Sequence, residues 1–233
     1  MDHFYRFPTP LGELALLEIP PLPELEKIAK QECTSEERLQ VEGWHPRRQR
    51  TFLGGRIALR RLVHGLSGQA SPAILAGERG APTLPVGFDG SISHKDDIAA
   101  AACRTAPASR NAFVGVDVEL LSEKKRDVSR YILTEREILA LNESALSDDE
   151  KRERVLRVFS LKEALYKALD RFVQRYVGFK EVEINWAKDT PQILFFLEQE
   201  PPGTFSAKAL QLDVEEGGML SGVVLSVVEV ERL

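Results

Sequence analysis

The run GVDVE at residues 115–119 sets two carboxylates inside an apolar stretch, residues 112–120, whose composition is typical of a β-strand. Side chains two residues apart on a strand point to the same face, so Asp117 and Glu119 are expected side by side. The valines around them then point into a core. Two adjacent carboxylates repel each other unless a cation lies between them, so this strand is expected to border a site.

A second run, FSLKEALYK at residues 159–167, has helical spacing. Glu163 and Lys167 are four residues apart and therefore share one helical face. The segment at 160–163 also has the spacing of a capping box, so Glu163 has two open interpretations, a helix cap and a ligand. A surface Glu–Lys pair stabilises a helix by only about 0.3–0.5 kcal/mol. The aromatic neighbours Phe159 and Tyr166 favour a lysine held near apolar walls.

Together the two runs predict a divalent-metal site with Asp117, Glu119 and Glu163 as ligands. Carboxylate oxygens without histidine or thiolate partners favour Mg²⁺ over Zn²⁺. A metal beside a base and a lysine suits the transfer of a phosphoryl group. The alternative for the D-x-E pair is a strand end with two solvated acids.

The composition is that of an ordinary soluble globular protein, with 233 residues, 43% of them hydrophobic and 29% charged. The net charge of −5 argues against a general nucleic-acid binder. Residues 47–61 nevertheless carry six arginines and no acid. The default interpretation of these arginines is a solvated helix face. The more specific alternative is that they bind a ligand with several phosphates.

Neither the two cysteines nor the first residues of the sequence indicate a secreted protein. Cys33 and Cys103 form no disulfide framework or metal knuckle. Residues 1–6 lack the basic start and apolar run of a signal peptide, and no apolar stretch approaches the roughly 20 residues of a membrane helix. We therefore expect a cytoplasmic enzyme that does not bind membranes.

The first half of the chain should contain strands and helices in alternation. The periodicity predicts a strand over residues 12–20, a capped helix opening at 34–37 and a longer helix over about 47–66. The apolar runs at 98–103 and 112–120 are expected to pair with each other as antiparallel strands.

The second half repeats this α+β pattern. A capping box at 134–137 opens one helix, a second helical region covers about 148–172, and strands are predicted at 192–197, 205–212 and 220–230. The composition shifts near 118–122. We therefore expect an N-terminal half at residues 1–119 and a C-terminal half at residues 120–233.

The segment SISH at residues 91–94 follows a loop rich in glycine and proline. A lone histidine is more often a packing or surface residue. Here His94 lies between a hydroxyl and the next strand, which suits a hydrogen-bond donor to an anion.

The ordered set S-x-S-H, G-V-D-V-E and F-S-x-K-E-A-x-x-K resembles the larger, single-chain 4′-phosphopantetheinyl transferases, the Sfp-type family that activates surfactin, enterobactin and polyketide synthases. The stretch RQRTFLGGR at 48–56 and the G-x-P element at 80–82 resemble the enterobactin-like branch. The resemblance spans about residues 47–167. Ala81 stands where some relatives have lysine, so one phosphate contact is either missing or supplied by Arg79. Phe159 replaces the tryptophan that many relatives have.

The resemblance implies two similar α+β halves, the pseudo-dimeric fold of this family, with the active site in the cleft between them. It implies Mg²⁺ as cofactor and coenzyme A as the donor substrate. Asp117, Glu119 and Glu163 would hold the metal. The catalytic residues would be Asp117, Glu163, which also serves as a base, and Lys167, which binds phosphate and steadies the leaving 3′,5′-ADP.

The resemblance also implies a set of coenzyme A-binding side chains. Ser93 and His94 would contact the nucleotide phosphates, Arg48 and Arg56 would lie near the 3′-phosphate, and Lys162 would be a supporting cation beside Lys167.

The implied reaction moves phosphopantetheine to a serine of an apo-carrier domain of a polyketide, nonribosomal peptide or fatty-acid synthase. We expect a monomer without nucleic-acid or membrane partners. The charged stretch at about 123–147, with Lys124, Lys125 and Arg126, is the expected carrier-docking surface. The alternative is a coenzyme A-binding protein or another coenzyme A-dependent transferase that modifies no carrier.

Overall fold

The computed structural model describes residues 3–106, 111–121, 127–187, 190–214 and 220–233. The first half of the chain consists of two hairpins that flank three helices. Its elements are β1 (Phe4–Thr9), β2 (Gly12–Glu18), α1 (Leu22–Glu32), α2 (Ser35–Leu39), α3 (Pro46–Ser67), β3 (Phe88–Lys95) and β4 (Ile98–Thr105).

The second half contains a long helix and most of the remaining strands. Its elements are β5 (Ala112–Leu120), α4 (Ser129–Ile132), α5 (Glu135–Glu143), α6 (Asp148–Val173), a 3₁₀ turn (Phe179–Glu181), β6 (Val182–Ala187), β7 (Thr190–Phe195), β8 (Phe205–Val214) and β9 (Val223–Arg232).

The described strands form antiparallel sheets with the orders β1-β2-β4-β3, β5-β9-β8 and β6-β7. Helix α3 packs on the first sheet, and α6 packs on β5 and β9 of the second. Each half is therefore a long helix on an antiparallel sheet, which confirms the α+β class and the two-half arrangement expected from the sequence.

The strands alternate their side chains between two cores, as the period of two requires. On β2, Ala15 and Leu17 pack toward α3, whereas Leu14 and Leu16 join Val116 of β5 in a separate buried cluster. This second cluster lies between the two sheets. The halves are thus joined face to face through an apolar interface.

The predicted pairing of residues 98–103 with residues 112–120 is wrong. Strand β4 lies between β2 and β3, and β5 pairs with β9. Residues 98–103 are buried on both faces, so this alanine-rich run is a central strand of its sheet rather than one arm of a hairpin. Since β5 belongs to the sheet of β8 and β9, the change of sheet comes before β5 and not at the expected boundary between residues 119 and 120.

Helix α6 begins at Asp148, in agreement with the helical region predicted at about 148–172, and not at the capping-box spacing of residues 160–163. Its capping box is formed by Ser147 and Glu150, whereas Ser160 is buried in mid-helix with its hydroxyl 2.8 Å from that of Ser226. Glu163 therefore has no capping role. The capping boxes predicted at Thr34 and Thr134 are confirmed.

Gly115 lets α6 approach β5 very closely. A Cβ atom at this position would lie 1.9 Å from the backbone carbonyl oxygen of Ala164. Any side chain there would push the helix away from the strand. The glycine thus brings the face of α6 with Glu163 and Lys167 against the strand that carries Asp117.

No helix within the described ranges is both long enough and apolar enough to cross a lipid bilayer.

Candidate active site

A cavity of about 460 Å³ lies between the two halves, walled by α3, the loop at residues 76–82, β3 and α6. Its charges are mostly positive. Among the described lining residues the basic ones are Arg48, Arg56, Arg79, Lys167 and Arg171, and the acidic ones are Glu163 and Asp170. Such a cavity attracts an anion with several negative charges.

Lys167 joins three elements at one end of the cavity. Its Nζ donates to Asp117 Oδ1 at 2.9 Å, to Ser93 Oγ at 2.8 Å and to the carbonyl oxygen of Val116 at 2.9 Å. The Ser93 hydroxyl also donates to Asp117 Oδ1, at 2.8 Å. The structure therefore brings together β3, β5 and α6 through Ser93, Asp117 and Lys167, which are between 24 and 74 positions apart in the sequence.

Asp117 and Glu119 lie side by side on β5, both nearly buried. The second carboxylate oxygen of Asp117, Oδ2, is buried and has no hydrogen-bond partner among the described residues. Glu119 lies 3.3 Å from Lys95 Nζ. An ionised, buried carboxylate oxygen without a partner is costly, and a bound cation would remove that cost.

Glu163 faces the cavity from α6. Burial raises the pKa of its carboxyl, the Lys167 ammonium lowers it, and the charges of Asp117 and Glu119 raise it again. These two carboxylates act on Glu163 because they are near it. A raised pKa suits a group that accepts a proton during catalysis.

The three acids fit a hard cation by chemistry, because all their donors are carboxylate oxygens and one is unpaired. The three carboxylates do not converge on one point in the structure. Within the described ranges, no group of three His, Cys, Asp or Glu residues stands ready to hold a metal ion. The Lys167 ammonium pairs with Asp117, so its positive charge lies where part of the charge of a bound metal ion would act.

Two arginines of α3 are backed by aromatic rings in the cavity wall. The Arg48 guanidinium lies 4.3 Å from the centre of the Trp44 ring, and that of Arg56 lies 4.1 Å from the centre of the Phe52 ring. The Nε of Arg56 donates to the carbonyl of Ile74 at 2.6 Å. Burial lowers the pKa of Arg56 to about 10, which still leaves it charged at neutral pH.

His94 lines the cavity near these groups. Its ring keeps an exposed edge, but the protein around it removes part of its hydration and lowers its pKa, and the Lys167 ammonium lowers it further. His94 is therefore neutral at pH 7 and offers one ring N–H as a hydrogen-bond donor.

The expectation for Lys162 is wrong. Its side chain is fully buried, and its Nζ donates to Glu137 Oε2 at 2.7 Å and to the carbonyls of Ile132 and Phe179, both at 2.9 Å. It does not line the cavity. The charge of Lys162 serves the packing of the C-terminal half, so this residue is not a coenzyme A-binding cation.

Several lining residues were absent from the sequence-based set. Tyr166 donates its hydroxyl to the carbonyl of Gly178 at 3.1 Å, and burial raises its pKa. Asp170 and Arg171 follow Lys167 by three and four residues, so helical spacing would have placed them near it. Trp44 lies just before α3, and no sequence pattern pointed to it.

Two family models match the chain. The 4'-phosphopantetheinyl transferase N-terminal domain matches residues 36–104, and the 4'-phosphopantetheinyl transferase superfamily matches residues 113–227, together more than three quarters of the chain. The 4'-phosphopantetheinyl transferase Npt of Nocardia iowensis is 39% identical over 143 residues. That match spans 60% of this chain and 60% of the Nocardia protein, about three fifths of each length.

Two solved structures show limited similarity. Thermotoga maritima holo-[acyl-carrier-protein] synthase has a TM-score of 0.40 and 22% identity, covering 52% of this chain and 63% of its own. The Chronobacterium ammoniagenes ACPS-CoA complex has a TM-score of 0.36 and 14% identity, covering 53% of this chain and 99% of its own. The two family models, matched in order along the chain, show that this protein belongs to the 4'-phosphopantetheinyl transferase superfamily.

Proposed function

We propose that this protein transfers 4′-phosphopantetheine from coenzyme A to a serine of an apo-carrier protein and releases 3′,5′-ADP. The observation that carries the proposal is the cavity between the halves, where five basic side chains face two acids. Coenzyme A has a 3′-phosphate and a diphosphate, and its negative charges match this lining. Membership in the superfamily supports the same reaction.

The nucleotide end of coenzyme A would lie against α3. The Arg48 and Arg56 guanidinium groups lie over aromatic rings, and their remaining N–H groups would bind the oxygens of the 3′-phosphate. Ser93 and neutral His94 are on the strand next to Lys167. His94 would donate a hydrogen bond to the diphosphate, and Ser93 would do so once its hydroxyl proton turns away from Asp117 Oδ1. The donor would thus span the cavity from α3 to α6.

The reacting end would lie at Lys167 and Glu163. The carrier serine oxygen attacks the β-phosphorus, and the bond from this phosphorus to the bridging oxygen of the diphosphate breaks. The serine proton would pass to the Glu163 carboxylate, which faces the cavity beside Lys167. Lys167 donates hydrogen bonds to the phosphate oxygens and offsets the charge that develops on 3′,5′-ADP.

Asp117, Glu119 and Glu163 would hold Mg²⁺, with the unpaired Oδ2 of Asp117 as one donor. The ion, when bound, would neutralise charge on the diphosphate. Lys167 also pairs with Asp117, at 2.9 Å. Chelation with EDTA is expected to abolish transfer, and added Mg²⁺ to restore it.

The proposed partners are apo-carrier domains of polyketide, nonribosomal peptide or fatty-acid synthases. Of the expected docking stretch, Lys124, Lys125 and Arg126 lie outside the described residues. The described part of that stretch exposes Tyr131 and Leu139, two large hydrophobic side chains. We further propose a cytoplasmic monomer, which size-exclusion chromatography of the purified protein would test in part.

Mass spectrometry tests the reaction directly. The protein is incubated with coenzyme A, Mg²⁺ and several apo-carriers, and a phosphopantetheine adduct on the carrier serine is the expected product. Glu163→Gln and Asp117→Ala should abolish the adduct while the fold persists. Glu153→Gln is the matched control, because Glu153 is on the same helix and pairs with Arg157 outside the cavity. Binding of coenzyme A without any adduct would indicate the alternative, a coenzyme A-binding protein, and would refute the proposal.

A further inference from the structure

One ion pair in the described chain joins the two walls of the cavity at its rim. Arg79 is on the loop of the first half, and Asp170 is near the end of α6 in the second half. Arg79 Nη2 lies 2.6 Å from Asp170 Oδ1, and Arg79 Nε donates to Oδ1 at 2.8 Å and to Oδ2 at 3.0 Å. The hydrogen bonds to Asp170 raise the already high pKa of Arg79.

The geometry of this pair fixes the direction of the guanidinium. All three contacts use the edge formed by Nε and Nη2, so the two N–H groups on Nη1 lie outside the pair. Because a guanidinium is planar and rigid, an acid on one edge determines where the remaining donors point. A lysine at this position would lack that property.

The backbone under Arg79 is also constrained. The amide of Gly77 donates to the carbonyl of Ala81, and that of Gly80 donates to the carbonyl of Gly77, both at 2.9 Å. Gly80 has a φ of +84°, which favours glycine, and Ala76 bridges to Pro82. Arg79 thus starts from a tight turn and ends on an acid from the other half.

Asp170 by itself should weaken the binding of an anion, since its negative charge lies in the cavity wall. Its presence among basic residues is explained if the Asp170 carboxylate serves to hold the Arg79 guanidinium in place. The long arginine side chain, about half exposed, would otherwise sample many rotamers at the rim.

We propose that Asp170 is a positioning residue that holds Arg79 across the cleft, so that Nη1 of Arg79 binds a phosphate group of the nucleotide part of the donor. This inference rests on the proposed function for the identity of the ligand. What is new is the role of Asp170, which fixes the direction of the Arg79 guanidinium from the opposite half.

A double-mutant cycle on the binding of 3′,5′-ADP, measured by calorimetry on the full chain, tests this inference. Arg79→Ala should weaken binding about tenfold, as expected for the loss of a charge-assisted hydrogen bond. Asp170→Asn should weaken it about threefold when Arg79 is present and leave it unchanged in the Arg79→Ala background. Arg79→Lys should restore only part of the affinity, because an ammonium has no fixed fork.

Arg6→Ala is the matched control. Arg6 pairs with Glu13 at 3.0 Å with side-chain exposures of 42% and 24%, against 47% and 25% for Arg79 and Asp170, and neither lines the cavity. This control should bind 3′,5′-ADP like the wild type.

Two other outcomes would overturn the inference. If Asp170→Asn tightens binding in both backgrounds, Asp170 only repels the ligand. If it weakens binding equally in both, its role is structural and independent of Arg79. Failure of the proposed function is separable, because the wild type would then bind no 3′,5′-ADP or would bind it without transferring phosphopantetheine to any carrier.

Discussion

Two lysines on α6, five residues apart, form similar ion pairs in very different surroundings. Lys162 lies 2.7 Å from Glu137, and Lys167 lies 2.9 Å from Asp117. The Lys162 side chain is fully buried, whereas that of Lys167 is 29% exposed toward the cavity. We therefore expect different uses for two lysine–carboxylate pairs of nearly the same length, because only one of them is open to the cavity.

Both ammonium groups have three hydrogen-bond acceptors. Those of Lys162 are Glu137 and two backbone carbonyls from the C-terminal half, and the whole side chain is buried away from the cavity. Burial lowers the pKa of Lys162, and the charge of Glu137 opposes this effect. Lys167 instead bonds to a strand of each half, at a place that a phosphate could reach.

The largest expected effect is on stability, at Lys162. Removing one partner of a buried ion pair leaves a buried charge without compensation, so Lys162→Ala should lower the free energy of unfolding by about 3–5 kcal/mol. Urea denaturation measures this change. Lys208→Ala is the control, because Lys208 also pairs with a glutamate but is 72% exposed. An unchanged unfolding free energy, with loss of coenzyme A binding, would reverse our assignment of Lys162.

The second effect is on catalysis, at Lys167. Lys167→Ala removes a cation that faces the reacting phosphate, and should slow transfer about a hundredfold, or about 3 kcal/mol of barrier. Its unfolding free energy should fall by less than that of Lys162→Ala, because Lys167 is 29% exposed, although the buried Asp117 carboxylate loses its partner. Single-turnover transfer with saturating coenzyme A measures the rate. A variant that transfers at the wild-type rate would contradict the proposed site.

These two lysines also show what the sequence could and could not predict. Spacing alone places Lys167 with Glu163, and the D-x-E strand places Asp117 with Glu119, because both rules are local. The same rule separates Lys162 from Lys167, since five residues on a helix turn about 140° away from the starting direction. The error at Lys162 came from carrying over a motif position without applying its helical geometry.

Local sequence patterns could not predict contacts between segments that are far apart in the chain. The alanine-rich strand β4 and the valine-rich β5 carry no signal of their partners, which lie elsewhere in the sequence. Trp44 enters the cavity wall from just before α3, so only the packing of the halves reveals it. Arg79 was named from the sequence, but its partner Asp170, which belongs to the other half, was not. The close approach at Gly115 likewise depends on a helix that begins thirty-three residues later.

The smallest expected effect distinguishes the two lysines through a third residue, His94. The Lys167 ammonium lowers the pKa of His94 below its ordinary value of 6.5, in addition to the larger effect of burial, while Asp117 raises it and Arg47 lowers it. Removing a positive charge favours the protonated imidazole, so Lys167→Met should raise the pKa of His94.

Lys162→Met should leave the pKa of His94 where it is, because Lys162 lies on the other side of α6 and is neutralised by Glu137. The pKa is read from the imidazole C2 proton by NMR, with His94→Gln to assign the signal among the four histidines. Equal shifts in the two variants would mean that the two lysines act on the cavity alike. Our distinction between the buried Lys162 and Lys167, which faces the cavity, would then fail. A lysine can shift the pKa of His94 only if it lies close to the cavity, and it must also lie there to bind a phosphate.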